Sequence, residues 1–172
     1  MTDSEFRGAY AGHSNVVFRF AFRMMGSEQD AEDIAQEVFL ALWRRPGGYN
    51  PDRGEVRAYL LGIARNLVLK KWRALRPTED LDPESLSCAP VNLVEMERQQ
   101  AVAAAVSQLP VLQREALVLA EYEDLSLDEI AAVTGADIAA VKSRLHRARQ
   151  NLRRMMAALL DEKSAEQKGA LK

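Results

Sequence analysis

The sequence predicts an all-α protein: two small helical domains joined by a flexible linker, the second built from four helices. Three observations carry that prediction. Apolar residues recur at spacings of three and four, between side chains that cap helices and glycines that end them. No stretch shows the period-two alternation of a half-buried strand. Residues 77–92 interrupt the helical periodicity with Pro77, Pro83 and Pro90 set among serines and acids. A chain of 172 residues with 48% apolar content can bury a core unaided, and its one cysteine, Cys88, excludes an internal disulfide or a cysteine zinc site. No run approaches the ~20 apolar residues of a membrane span, and Met1-Thr2-Asp3-Ser4-Glu5 lacks the basic and apolar regions of a signal peptide, so a cytoplasmic protein is expected.

Each helix has its own signal. Ser14 is placed to cap a helix that runs through Met25 and stops at Gly26. Ser27 followed by Asp30 resembles a capping box and opens a second helix to about Arg45, striped by Ala31, Ile34, Ala35, Val38 and Leu42. The turn formers from Pro46 to Gly54 exclude helix there. A long helix restarts near Glu55 and reaches about Leu75 on a stripe of Val56, Tyr59/Leu60, Ile63 and Leu67. After the linker, one helix spans residues 93–108 and another starts at Pro110 and passes Leu119. Ser126-Leu127-Asp128-Glu129 is a full S-x-x-E capping box for a short helix ending at Gly135, and Asp137 caps the last helix, expected to reach about Leu160. The predicted organisation is thus 1–76, a linker over 77–92, 93–160, and a frayed tail over 161–172.

A net charge of −2, from 23 basic and 25 acidic residues, taken alone argues against a nucleic-acid partner. Mapped along the chain it does not. Glu28, Asp30, Glu32, Asp33 and Glu37 form an acidic block, Arg65, Lys70, Lys71, Arg73 and Arg76 a basic one, and Lys142 to Arg154 another basic one. Such segregation suggests separate surfaces for separate partners; solvated helix faces are the plainer reading.

The most specific signal lies between Ser126 and Arg149. A helix-turn-helix needs a small residue where its helices cross, a turn residue tolerant of positive φ, and an apolar anchor on the second helix. Ala131, Gly135 and Val141 meet those needs, with Ile130, Ile138 and Leu145 on the core side. Lys142, Ser143, Arg144, His146, Arg147 and Arg149 then give the second helix a donor-rich run suited to a DNA major groove.

In the first half, Asp30, Asp33 and Glu37 share one helix face. They suit an acidic docking surface for a basic partner, rimmed by Gln36 and with Phe39 as a candidate exposed anchor. A carboxylate metal site is the lesser reading, since no further oxygen or histidine ligands accompany them. On the long helix Asn66, Lys70 and Arg73 also share a face, with Tyr59 and Trp72 near it. Asparagine can pair with adenine, cations with phosphates, and aromatics either stack on bases or fill the core. The Pro/Gly-rich loop before this helix can form a pocket for an unstacked base.

These motifs, in this order, resemble the extracytoplasmic-function (ECF) sigma factors of the sigma-70 family of bacterial RNA polymerase. Residues 30–40 (Asp30-Ala31-Glu32-Asp33 onward) resemble the family's core-polymerase-binding helix, and Arg57-Ala58-Tyr59-Leu60-Leu61-Gly62-Ile63-Ala64-Arg65-Asn66 its −10 promoter helix. Leu109-Pro110, Arg114-Glu115 and the stretch from Leu125 to Arg149 resemble its −35 domain. The resemblance implies an alternative sigma factor that binds core polymerase and promoter DNA, is controlled by an anti-sigma factor, needs no cofactor and is not itself an enzyme. It implies polymerase docking through Asp30, Asp33, Gln36, Glu37 and Phe39. It assigns −10 recognition to Tyr49, Asn50 and Arg53 of the loop with Tyr59, Asn66, Lys70, Lys71 and Arg73, and −35 recognition to the donors from Lys142 to Arg149. Two departures stand out. Lys70 replaces an acid or amide common in relatives, and Asp137-Ile138-Ala139-Ala140 replaces a Pro-x-Gly-Thr run, removing one hydroxyl at the start of the reading helix. A stand-alone helix-turn-helix regulator is the alternative class; it needs no acidic docking face.

Overall fold

The structure, a computed structural model, describes residues 2–45, 47–75 and 98–169, with side chains beyond Ala157 and those of Arg53 and Arg98 outside that description. Its helices are α1 (Asp3–Met25), α2 (Glu28–Arg44), α3 (Val56–Leu75), α4 (Arg98–Ser107), α5 (Val111–Leu117), α6 (Leu127–Thr134) and α7 (Ile138–Gly169). A single 3-10 turn covers Pro51–Arg53, and α5 continues into a π-helical turn over Val118–Tyr122. The predicted linker and Cys88 lie outside the described residues.

α1 begins eleven residues earlier than the predicted cap at Ser14. Thr2 caps it, its hydroxyl accepting from the Glu5 backbone N–H at 3.2 Å while the Glu5 carboxylate accepts from the Thr2 N–H at 2.6 Å. Gly8 and Gly12 weaken the local helical preference by about 1 kcal/mol each relative to alanine, which hides this start in the sequence. Packing restores it: Phe6 and Tyr10 of α1 meet Phe39 and Trp43 of α2 in an aromatic cluster, Tyr10 lying 4.8 Å from Phe39 centroid to centroid.

α2 is capped by Ser27, whose hydroxyl accepts from the Asp30 N–H at 3.3 Å. Its buried stripe is Ala31, Ile34, Val38, Phe39 and Leu42. α3 departs from its predicted stripe. The fully buried residues are Leu60, Leu61, Ala64 and Val68, while Val56, Tyr59, Ile63 and Leu67 are only half-buried. The reason is that α3 is covered on two sides, by α1 and α2 on one and by α6 on the other. A helix packed on two sides carries apolar residues around most of its circumference, so no single stripe is diagnostic.

In the second half, the Ser126 capping box forms as predicted, and Gly135 ends α6 at φ +68°, a left-handed conformation that costs a residue with a Cβ about 1–2 kcal/mol. Asp137 accepts from the Ala140 N–H at 2.7 Å and starts α7, which runs to Gly169. Ile138, predicted to fill the core, is 39% exposed; Val141, Leu145 and Ala148 supply the apolar side instead. Buried residues of the two halves form one continuous hydrophobic cluster, from Phe20, Leu42 and Leu60 through Leu109, Leu119 and Ile130.

Candidate nucleic-acid interface

The polar groups fall into three surfaces. The first is the outer face of α2. Asp33, Gln36 and Glu37 are exposed along it, whereas Phe39 is 4% exposed and packs inward on Phe6 and Tyr10, so it is not the exposed anchor predicted. The exposed aromatics here are Tyr10 and Trp43, which with Leu40 border an open groove between α1 and α2. They escaped the sequence reading because α1 was started too late to place Tyr10 on a helix facing Phe39.

The second surface is α3 with the loop before it. Asn66, Lys70 and Arg73 are exposed, as a strand-binding face requires. Tyr49 and Tyr59 pack ring to ring at 5.6 Å, and the Tyr49 hydroxyl donates to the Gly54 carbonyl at 3.2 Å. The Tyr59 hydroxyl comes so close to Gly48 that a Cβ there would stand 2.6 Å from it, so a larger residue at position 48 would force the Tyr59 ring to shift. Asn50 uses its side-chain oxygen to accept from the Asp52 N–H at 2.9 Å, capping the 3-10 turn. Loop, Tyr59 and Asn66 together line a pocket of about 590 Å³ whose far wall includes Ala132 and Val133 of α6. Trp72 is 8% exposed and belongs to the core.

Lys71 joins the first two surfaces. Its ammonium lies 2.6 Å from Asp30 and 3.6 Å from Asp33, and the hydrogen bond to Asp30, reinforced by both carboxylate charges, raises its pKa above the ordinary lysine value. A residue assigned to the −10 strand is therefore held by two residues assigned to polymerase.

The third surface is the first half of α7. Lys142, Ser143 and His146 are exposed, Arg144 and Arg147 half-buried. Arg149 is paired: both its Nε and Nη2 donate to the same Glu121 oxygen, at 3.1 and 2.5 Å.

A further set of polar contacts crosses between the halves. Arg65 donates to the buried Glu115, and Arg19, Arg23 and Arg57 surround the buried Glu123. Burial pushes the Glu115 carboxyl up, against the hydrogen bond and charge of Arg65 and the charge of Arg144. Arg114, 6% exposed, donates to the carbonyls of Met24 at 2.7 Å, Leu109 at 3.0 Å and Ser107, placing its cation where α1 and α4 end. The sequence shows Arg57, Arg65, Arg114 and Glu115 only as parts of charge blocks or family motifs, and their partners, far along the chain, carry no local signal. Among the described residues, no cluster of three or more histidine, cysteine or carboxylate side chains is placed to hold a metal ion.

Comparison with known proteins decides the family. The model of Sigma-70 region 2 matches residues 9–78, and that of Sigma-70 region 4 matches residues 99–152. The ECF RNA polymerase sigma factor SigL of Mycobacterium tuberculosis is 31% identical over 152 residues, 86% of either chain. The chain belongs to the ECF sigma factors. SigE of Mycolicibacterium smegmatis is 35% identical over 159 residues, which cover 84% of this chain and 59% of SigE. Among solved structures, the sigma factor RpoE of Bartonella quintana, in complex with the anti-sigma factor NepR, has a TM-score of 0.71 at 23% identity and covers 89% of this chain and 97% of its own, a likeness of fold. In this sigma factor, then, α1–α3 carry the region 2 match and α4–α7 the region 4 match.

Proposed function

We propose that this sigma factor binds core RNA polymerase through the exposed acids of α2 and directs initiation at promoters whose −10 strand meets α3 and whose −35 duplex meets α7. The observation that carries this reading is the ordered pair of region matches laid over those helices. Asp33 and Glu37, exposed on α2, supply charge for a basic polymerase surface; Asn66, Lys70 and Arg73 supply base and phosphate contacts; Lys142, Ser143, His146 and Arg147 supply donors to the groove. The chain adds specificity and leaves the chemistry to polymerase, so it acts as a non-enzymatic cytoplasmic subunit. Among the described residues, no helix is long and apolar enough to cross a membrane. An anti-sigma factor is its regulator, as NepR is bound to the sigma factor RpoE in the structure cited above. A stand-alone repressor has no use for a region 2 match.

The test is transcription in vitro with bacterial core polymerase on a promoter library, for the chain and for D33K/E37K. Wild-type chain should start transcripts at a discrete promoter class. The reversal should lower co-purification with core at least tenfold while leaving duplex −35 binding intact. No transcripts with wild-type, together with tight binding of the free chain to a duplex operator, would overturn the reading.

A further inference from the structure

Of the three carboxylates that share the outer face of α2, one is already taken. Asp30 lies 2.6 Å from the Lys71 ammonium, and only 25% of its side chain and 32% of that of Lys71 remain accessible. The second is shared. Asp33 Oδ2 stands 3.6 Å from the same ammonium, while 61% of the Asp33 side chain is open to solvent. The hydrogen bond to Asp30 raises the Lys71 pKa further above neutrality, so the ammonium is fully charged wherever a polymerase works.

The surface places this cation inside the docking face. Asp33, Gln36 and Glu37 of α2 line one concavity of about 390 Å³ together with Leu67, Lys70 and Lys71 of α3. A basic partner that comes down on Asp33 and Glu37 therefore brings its own cation against Lys71. Two consequences have the same sign. At a distance, the like charge lowers the rate of encounter and flattens its salt dependence. At contact, the partner's cation must share the Asp33 carboxylate with an ammonium already in place, or displace it. Ordering acts the other way, because Lys71 restricts the Asp33 side chain before the partner arrives. That saving is small: a short side chain has little rotamer freedom to lose, and 3.6 Å is longer than a firm hydrogen bond. Charge outweighs ordering.

We propose that Lys71 is an internal competitor of polymerase: reaching from α3 to α2, it neutralises Asp30 and draws on Asp33, and so holds the affinity of this sigma factor for core below what its α2 acids alone would give. Asp30 then makes no polymerase contact of its own. The proposal rests on the reading of α2 as the docking face.

The test is binding of the fluorescently labelled full chain to core polymerase without DNA, by equilibrium titration and stopped flow at several salt concentrations. K71A and K71M should each raise affinity about three- to fivefold, the scale of an exposed ion pair, chiefly through faster association with a steeper salt dependence. K71R should keep wild-type affinity. The competition acts largely through Asp33, so the gain from K71A should shrink to less than half in a D33N background. A lysine that merely holds α3 to α2 predicts the opposite sign, weaker binding in both K71A and K71M. Affinity at or below wild-type in those two variants overturns the proposal, and so does an undiminished K71A gain beside D33N, which would assign the effect to net charge. Wild-type affinity in D33K/E37K overturns the docking reading of α2 instead.

Discussion

Lys70 and Lys71 are adjacent in sequence and opposite in circumstance, and replacing each with alanine separates a strand contact from a structural one. Lys70 is exposed, whereas Lys71 bridges Asp30 at 2.6 Å and Asp33 at 3.6 Å. A phosphate that recruits Lys71 must break that bridge, returning two carboxylates to water and leaving an acid beside the DNA strand. The net attraction Lys71 can offer is therefore small. For K70A the salt slope of holoenzyme binding to the −10 strand should fall by about 0.7, and affinity near 0.15 M salt by about fourfold. For K71A the slope should change by less than about 0.2. The bridge is partly exposed, with 32% of the Lys71 side chain and 25% of that of Asp30 accessible. Its removal should cost only about 0.5–1 kcal/mol, discounted for solvent screening, and lower the melting temperature by about 2 °C. The assay is fluorescence anisotropy across a salt series, paired with thermal unfolding of each variant. A K71A slope reduced as much as that of K70A would show that the bridge opens on binding and would refute the reasoning.

Two further outcomes follow from buried charges. R114M should lose about 4 kcal/mol, from three hydrogen bonds of ~1.5–3 kcal/mol each given by a charged donor, partly offset by the apolar side chain that replaces it, and melt about 10 °C lower; R114K should lose less. Unfolding of R114M within about 1 kcal/mol of wild-type would refute this. Glu115 has its carboxyl pushed up by burial, so its favourable contribution is complete below the ordinary 4.5 and is lost as pH rises through the raised value. E115Q, uncharged throughout, should therefore gain stability relative to wild-type between pH 5 and pH 8 in urea titrations; a constant difference would show that the Arg65 pair outweighs burial.

How much of this was legible in the sequence depended on whether a signal was local. Ser126 with Glu129, Gly135 and Asp137 each act within a turn of their own position, and the helix boundaries they imply are those observed. Ser27 and Gly26 likewise bound α1 and α2 where expected. The misses come from contacts between distant segments. Phe39 reads as exposed only while α1 is thought to begin at Ser14; once Phe6 and Tyr10 are helical, they cover it. The face of α3 was misjudged because its second covering helix, α6, lies some seventy residues away along the chain. Asn50, given to the −10 strand by the family resemblance, also caps the 3-10 turn by accepting from the Asp52 N–H, a local use that the resemblance does not foretell.

The charge pattern shows the same limit most sharply. Acidic and basic blocks far apart in sequence suggested surfaces that never meet. In the folded chain they meet repeatedly: Asp30 with Lys71, Glu115 with Arg65, Glu121 with Arg149, and Glu123 with Arg19, Arg23 and Arg57. Four of these cations, Arg57, Arg65, Lys71 and Arg149, lie on α3 and α7, the helices assigned to DNA. The near-equality of 23 basic and 25 acidic residues is thus realised as pairs as well as totals. Pairing of this kind lowers the attraction of the packed form for any polyanion, because a phosphate competes with a carboxylate already in place.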